Sequence, residues 1–502
     1  MAFALVFVLT VLFFALRGEF FVSDLSVLFF RMLFNSSVFA LLQSALSVLL
    51  SFAFALLICW SFLRFSFLKK LEGLARSFSY LVFFAPSLVL SMAYLDLATQ
   101  NDFIPSFGLF PIVFAHSMLN ALFIAFLILS LFRKKFSDAG NSYFASVVFG
   151  VPAHVSLFEL FRQDFCAFFK AWAPLVFWWS FSSFTTVLIL GGGPKFSTPE
   201  VLMFYSYGAG DQSSRVFVLA LVQALIGFGL YKFSKRKNAS LLQKEFESSS
   251  LSSFQKSQSE ERYFYAKSKV LNFASWLGLA AFVGVLIFWS SPVLMTVEFF
   301  DVSPLFSAAS ATSLRLLLHA TFYFILWLAL GFVSRGLIFK WSKVSLFFSP
   351  VLLAILFSEL SLGLPMSDLS LNSLNGFVLF LTILPLGSFW LDSEYQNALS
   401  KNSELIQVLD LSWSLKFSKL LLPLMQSKVL VLFLMLCLLV LGDVGVTSIL
   451  RVGRDPSLAM KVYQSVAIYD FSASFRLFSL LFLFILPFSV LMTFFKGRNF
   501  SR

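Results

Sequence analysis

The stretch SVFALLQSALSVLLSFAFALLICWSFL, at positions 37–63, contains 27 residues and no charged side chain. A helix needs about 20 apolar residues to cross the roughly 30 Å hydrocarbon core of a bilayer, so this stretch is long enough to span a membrane. The rest of the chain has the same character, since 59% of its 502 residues are hydrophobic and only 12% are charged. Soluble domains carry about 25% charged residues. The composition therefore excludes an ordinary soluble enzyme and predicts an all-α polytopic membrane protein.

Apolar runs on both sides of this stretch extend the pattern to about twelve predicted transmembrane helices. The predicted spans are 2–16, 37–63, 78–97, 111–132, 173–190, 216–231, 270–289, 314–338, 345–362, 375–391, 428–450 and 475–495. The first run is short, but it has neither the charged flank nor the small-residue cleavage site of a signal peptide. We therefore interpret it as a retained helix.

Charged residues between the predicted spans alternate in sign from one loop to the next. The basic loops contain Arg64, Lys69, Lys70, Arg76, Arg133, Lys134, Lys135, Lys232, Lys235, Arg236, Lys237, Lys340 and Lys343, and the acidic loops contain Asp96, Asp102, Glu298, Asp301 and Asp368. Basic loops stay on the cytoplasmic side of the membrane, so the pattern predicts that both termini are cytoplasmic. The formal net charge of +12 follows from the same loops and requires no nucleic-acid partner.

The segment SKRKNASLLQKEFESSSLSSFQKSQSEERYFYAKSK, at positions 234–269, is hydrophilic and rich in Ser, Lys, Gln and Glu. Such a composition buries too little apolar surface to fold alone, so we predict a cytoplasmic linker over residues 232–269. The linker divides the chain into two halves, 1–231 and 270–502, each with six predicted spans.

The two halves share landmarks at an offset of about 260 residues. The paired landmarks are Pro86 and Pro350, Pro199 and Pro456, Asp211 and Asp470, and Arg215 and Arg476. Their common order predicts an internal duplication. Transporters built from two six-helix halves commonly place the pathway at the interface between the halves.

Two long segments between predicted spans, at about 136–165 and 394–427, show helical periodicity. This pattern indicates surface helices that either dock a partner or anchor to the membrane. Both segments resemble the coupling loop of the membrane subunits of ABC importers, in which Glu-Ala-Ala precedes a Gly and then a Pro. The positions that align with this loop are Phe144, Ala145, Ser146 and Gly150 in the first half and Glu404, Leu405, Ile406, Leu409, Ser412, Phe417 and Pro423 in the second. The first segment has Gln163 in place of the Pro, and the second has Asp410 in place of the Gly.

Two further stretches, SFTTVLILGGGP at 183–194 and LGDVGVTSIL at 441–450, resemble the permeases of the thiamine type. The resemblance, shared with the related iron(III) permeases, implies the fused permease subunit of a type I ABC importer in the bacterial inner membrane. It implies a small cargo such as thiamine or iron(III), a periplasmic binding protein that delivers it, and two copies of a separate ATPase. The sequence has no phosphate-binding GxxxxGK[ST] motif, so we expect no cofactor on this chain and ATP use by the partner.

Three features are candidates for lining the translocation pathway: a glycine-rich turn and two carboxylates in apolar runs. The residues concerned are Gly191, Gly192, Gly193, Pro194, Asp443 and Glu359. The turn either unwinds a pathway segment or ends a helix at the membrane interface. An ionisable residue in a membrane span indicates a functional site. Instead of lining a pathway, Asp443 could cap a helix or pair with Arg451.

Catalytic and metal-binding patterns are missing from the sequence. The three histidines and three cysteines are far apart, at His116, His154, His319, Cys59, Cys166 and Cys437. Without a catalytic constellation, an intramembrane enzyme is the least favoured function. A twelve-span secondary transporter fits the composition as well as a permease does, and the long segments at 136–165 and 394–427 favour the permease. The sequence leaves the cargo open.

Overall fold

The computed structural model describes residues 26–84, 86–101, 103–149, 151, 153–208, 213–235, 269–298, 307–334, 349–361, 367–401, 422–450 and 455–499. Helices account for nearly all of these residues, and this described part of the chain contains no strand. The prediction of an all-α fold is therefore confirmed.

The helices are α1 (Val27–Arg64), α2 (Ser66–Phe84), α3 (Ser87–Thr99), α4 (Leu109–Val148), α5 (Ala153–Phe181), α6 (Thr185–Leu190), α7 (Pro199–Gly208), α8 (Ser213–Lys235), α9 (Lys269–Glu298), α10 (Ala308–Val333), α11 (Pro350–Ser361), α12 (Asp368–Lys401), α13 (Leu422–Gly442), α14 (Gly445–Leu450), α15 (Leu458–Ala467) and α16 (Phe471–Asn499). A short 3₁₀ turn, Pro194–Phe196, lies between α6 and α7. Helix α8 extends to Lys235, so the first residues of the predicted linker are helical, and residues 236–268 of it lie outside the described ranges.

Several helices are apolar enough to cross a bilayer. Among the described residues, five have the required length: Val27–Arg64, Leu109–Arg133, Asn272–Glu298, Ala308–Gly331 and Phe471–Phe488. Shorter apolar helices cover Ser87–Thr99, Ser214–Gly227, Pro350–Glu359 and Val429–Gly442. The chain is thus a polytopic membrane protein. The number of twelve spans stays a prediction, and the span predicted at 2–16 lies outside the described residues.

Three predicted spans are interrupted in the structure. In the run 78–97, α2 ends before Pro86 and α3 follows it, because proline lacks the N–H that continues a helix. The runs 173–190 and 428–450 were each expected to form one helix, and this expectation is wrong. The first divides after Phe181 into α5 and α6, and the second divides at Asp443 into α13 and α14.

Helix α2 occupies most of the segment whose charges predicted a cytoplasmic loop. Lys69, Lys70 and Arg76 lie on this helix, and Asp96, assigned to an outer loop, is buried in α3. Arg133, Lys134, Lys135, Lys232 and Lys235 likewise lie on α4 and α8. These charged residues therefore stand on helices that continue past the apolar runs, and the side of the membrane on which they lie stays a prediction.

Helix pairings recur in the same chain order in the two halves. Helix α1 packs against α4, α5 and α7, and α10 packs against α12, α13 and α15. Similarly, α3 packs against α4 and α6, and α11 packs against α12 and α14. Contacts between α7 and α11, and between α3 and α13, join the halves in one hydrophobic core.

Helix α9 follows the predicted linker in sequence, and it packs against α1 and α3 of the first half as well as against α16 of the second. Gly278 lies directly against the α1 backbone. The Phe282 ring meets the Phe62 ring edge-on, with 5.1 Å between centroids. The Ser291 hydroxyl donates a 2.5 Å hydrogen bond to Oδ2 of the buried Asp96. Helix α9 is therefore attached to the first half by backbone, aromatic and polar contacts.

Candidate functional site

The first predicted coupling segment is not a separate surface helix in the structure. Phe144, Ala145 and Ser146 belong to the last turns of α4, which continues to Val148 before α5 begins at Ala153. About three turns away from this junction, Lys135 of α4 pairs with Asp164 of α5 at 2.8 Å. The expectation of short surface helices over 136–165 is wrong, because two long helices run into this segment and leave only a short connection.

The second predicted coupling segment is described only at its ends. Residues 394–401 continue α12, and Pro423 stands exposed in the first turn of α13. The remaining predicted coupling residues, Gly150, Glu404, Leu405, Ile406, Leu409, Ser412 and Phe417, lie outside the described residues. Their proposed contact with an ATPase stays a prediction.

A buried cluster of charged side chains lies where α2 packs against α4. Arg133 donates two hydrogen bonds to the Glu72 carboxylate, at 2.7 and 2.5 Å, and Arg76 donates a third at 3.1 Å. The Arg76 guanidinium also lies 5.8 Å from the centre of the Phe126 ring. Bidentate geometry of this kind is specific as well as strong. The cluster fastens α2 to α4, and sequence reasoning missed it, although Glu72 and Arg76 have helical spacing.

The glycine-rich turn packs against the segment that leads into α4. Gly192 and Gly193 have φ angles of +68° and +117°, a backbone region that favours glycine. A Cβ atom on Gly192 would lie 2.7 Å from Cβ of Phe107. The Gly108 amide donates a 2.7 Å hydrogen bond to the Leu190 carbonyl at the end of α6. This turn is therefore the stop of helix α6, and its role in lining a pathway stays a prediction, together with that of Pro194.

Asp443 lies between α13 and α14 and caps the second of these helices. Its Oδ2 accepts a hydrogen bond of 3.0 Å from the Thr447 amide, as expected for a carboxylate at a helix N-terminus. The capping alternative is thus confirmed, whereas the possible partner Arg451 lies outside the described residues. Next to it, a Cβ on Gly445 would lie 3.0 Å from the Phe184 ring and 3.4 Å from Val351. The start of α14 therefore meets the starts of α6 and α11.

Glu359 lies half-buried near the end of α11. The hydroxyl of its neighbour Ser358 shares a 2.7 Å hydrogen bond with the Tyr207 hydroxyl of α7. This bond connects a helix of the first half to a helix of the second. Glu359 itself is placed near this interface, which is compatible with the predicted pathway role without testing it.

A fully buried carboxylate, Glu200, lies close to this interface at the start of α7. Polar groups of Ser349, Val351 and Gln223 face it, and Asp443 is close enough to repel it. Neither Glu200 oxygen completes a hydrogen bond of standard geometry, and neither does either polar atom of the Gln223 amide. Sequence reasoning missed Glu200, because an acidic residue in the first turn of a helix is an ordinary feature.

The described side chains at this site do not form a metal-binding cluster. Within the described ranges, no group of three or more His, Cys, Asp or Glu side chains is placed to hold a metal ion. Near the carboxylates of Glu200 and Asp443 lie the Gln223 amide, the Ser349 hydroxyl and the Phe184 ring. Of the predicted pathway residues, the structure thus places Asp443 beside Glu200, whereas the glycine-rich turn stands at the other end of α6.

Comparison with known proteins gives one local similarity. Over 64 residues, the chain is 39% identical to the thiamine transport system permease protein ThiP of Escherichia coli (strain K12). The aligned segment makes up 13% of this chain and 12% of that protein. No family model and no solved structure matches the chain. The similarity is therefore to part of a transport permease, in a polytopic, all-helical membrane protein.

Proposed function

We propose that this chain is the permease subunit of an ABC importer and forms the transmembrane pathway for a small cargo, such as a thiamine-like cation or iron(III), in the bacterial inner membrane. The observation that carries the proposal is the local similarity to the E. coli thiamine permease protein. The apolar, all-helical fold supports it, because such a subunit must supply the membrane pathway.

The proposed architecture has two six-helix halves around a roughly two-fold axis along the membrane normal. The recurring helix pairings support this arrangement, since α1, α3 and α7 contact the same relative partners as α10, α11 and α15. The contact between α7 and α11 would then lie at the interface between the halves. Rocking of the halves about this interface would open the pathway to each side in turn.

In this proposal, partner subunits hydrolyse ATP and capture the cargo. Two ATPase copies would dock at the segments 136–165 and 394–427, and a periplasmic binding protein would deliver the cargo. The junction of α4 and α5 supports the first docking site, because two helices that end together there could transmit a push into the membrane core. With the ATP site on the partner, this chain would be a transport subunit rather than an enzyme.

A secondary transporter remains the second candidate, and the buried Glu200 is the observation that favours it. Ion-coupled transporters commonly use carboxylates inside the membrane. The two candidates differ in the energy source. An ABC permease requires ATP hydrolysis by a bound ATPase, whereas a secondary transporter requires an ion gradient and no ATPase.

The test is reconstitution in liposomes of the chain with the ATPase and binding protein encoded in the same genome. We expect the ATPase to co-purify with the chain, and uptake of radiolabelled thiamine or iron(III) to require ATP and the binding protein. Uptake that persists without the ATPase and collapses when an ion gradient is dissipated would reject the importer in favour of the secondary transporter.

A further inference from the structure

Glu200 and Gln223 form a buried polar pair, and the polar groups that face it complete no hydrogen bond of standard geometry with it. Glu200 is completely buried and Gln223 is 2% exposed. All four polar side-chain atoms of the pair lack a hydrogen bond of standard geometry. Native proteins satisfy nearly all buried polar atoms, so four orphan atoms at one place require an explanation.

The surroundings of this pair are acidic and polar rather than basic. Among the described groups that act on the Glu200 carboxylate, Ser349, Val351, Gln223 and Asp443, none carries a positive charge. Burying an ionised carboxylate without a counter-charge is strongly unfavourable. An ionised Glu200 therefore has no counter-charge among these groups, and a bound cation would supply one.

Aromatic rings stand beside the carboxylate. Phe204 follows Glu200 by four residues on α7, so the two side chains share one face of the helix. The Phe184 ring meets Phe204 edge-on, with 5.3 Å between centroids, and Phe184 also packs on Gly445 beside Asp443. Ring faces near carboxylates attract organic cations. A bare metal ion is disfavoured, because it would need more oxygen ligands than these two carboxylates and one amide offer.

We infer that Glu200, together with Gln223, Asp443 and the rings of Phe184 and Phe204, forms a recognition site for the positively charged group of an organic cation where the two halves of the chain meet. The inference rests on the proposed function, because it places this site on the transport pathway and names the class of cargo. It assigns the direct charge contact to Glu200, since Asp443 is already engaged in capping α14.

The described conformation keeps this site closed. Glu200 has no exposed surface, and the Tyr207–Ser358 hydrogen bond holds α7 against α11 one to two turns away. Separation of these two helices would open the site to a cargo, and their return would enclose it. The same movement is the one that alternating access requires.

The first experiment measures binding by the purified chain alone, with equilibrium dialysis in detergent. The probes are thiamine, which is cationic, and thiochrome, its neutral tricyclic oxidation product. The variants are Glu200→Gln, which keeps the side-chain size and removes the charge, and Glu298→Gln, a matched change at an exposed carboxylate. Glu200→Asp and Phe204→Leu provide two further variants if Glu200→Gln is poorly folded.

We expect the parental chain to bind thiamine at least about tenfold more tightly than thiochrome, because the charge contact is buried. Glu200→Gln should lose about tenfold or more of the thiamine affinity and leave thiochrome binding unchanged. Glu200→Asp and Phe204→Leu should each retain part of the affinity, and Glu298→Gln should equal the parent. Equal binding of the two probes by the parent, no binding at all, or parental thiamine affinity in Glu200→Gln would overturn the site.

A thermal measurement separates a binding role from a structural one. If Glu200 serves ligand binding at the expense of stability, Glu200→Gln should unfold at a higher temperature than the parent in the absence of ligand. A lower unfolding temperature would show that Glu200 supports the fold instead, and would overturn the inference. Neither measurement uses ATP or an ATPase. Intact thiamine binding without ATP-driven uptake would therefore reject the importer and retain the site, and the reverse result would do the opposite.

Discussion

Gly442 lies directly against Pro86, at a point where two helix breaks from different halves of the chain meet. Gly442 ends α13, and Pro86 precedes α3. A Cβ atom on Gly442 would overlap the Pro86 ring, so only glycine permits this approach. The contact therefore brings the two halves together at backbone distance.

Substitution of Gly442 by Ala should therefore destabilise the protein. Overpacking at a rigid contact costs about 1–3 kcal/mol, because the proline ring cannot rotate away. The unfolding free energy in detergent is the measurement. Gly284→Ala is the matched control, since a Cβ at that helical glycine meets nothing within 4 Å. Equal stability of the two variants would show that the Gly442–Pro86 contact yields easily.

Removal of the Glu72 charge should weaken the attachment of α2 to α4. Glu72→Gln leaves Arg76 and Arg133 without their carboxylate in a largely buried site, and breaking a buried pair costs about 3–5 kcal/mol. Asp164→Asn serves as the control, because it breaks a half-exposed pair with Lys135 worth about 0–1 kcal/mol. Comparable losses in thermal unfolding would mean that the cluster is no stronger than a surface pair.

Gly192→Ala should be destabilising for two reasons. The left-handed backbone costs a non-glycine residue about 1–2 kcal/mol, and the new methyl group would press on Phe107. Gly229→Ala, at a helical glycine with open space around it, is the control. Thermal unfolding measures both variants. If Gly192→Ala matches this control, the turn is free to relax and does not hold the end of α6 in place.

Variants of the predicted coupling residues should impair assembly with the ATPase and leave folding of the chain intact. On the proposed function, Glu404→Ala should weaken ATPase binding by about 2–5 kcal/mol if the contact is buried. Phe144→Ala tests the apolar anchor of the first half in the same way. Co-purification of the ATPase and cargo uptake are the measurements, with Glu298→Gln as the control. Parental assembly and transport in both variants would show that these segments do not couple to an ATPase.

Reporter fusions test the orientation of the chain. A fusion after Lys237 should report cytoplasm, and one near Asp301 should report the opposite side, because basic loops remain inside. Reversed signals at both sites would invert the topology. The positions Lys70 and Lys135 are less suitable for fusions, since they lie on α2 and α4.

The apolar runs made the all-α membrane fold predictable. Long runs such as 37–63 and 111–132 lie within α1 and α4, because hydropathy alone determines that a segment this long and apolar is helical. The breaks at Phe181 and Asp443 could not be read in the same way. No proline or glycine marks the break after Phe181, and the contact of Gly442 with Pro86 joins segments that are far apart in the sequence, which no local pattern encodes.

The candidate site was predictable only in part. Asp443 stood out because it interrupts an apolar run, and the capping of a helix was one of the alternatives predicted for it, whereas its position near the start of α6 and α11 was not predicted. Glu200 lies in a first turn, where an acidic residue stabilises the helix, so its sequence position hid its burial. What distinguishes it is complete burial beside polar groups that complete no hydrogen bond of standard geometry with it, and these groups come from distant parts of the chain.

The packing of α9 determines which parts of the protein can travel together. The Asp96–Ser291 hydrogen bond and the close approach of Gly278 to α1 tie this helix to the first half, although it is encoded after the linker. On the proposed function, the first half and α9 would move together during transport, with α9 contacting α16 of the second half across the moving interface. Cutting the predicted linker should then leave the two fragments held together as one non-covalent complex.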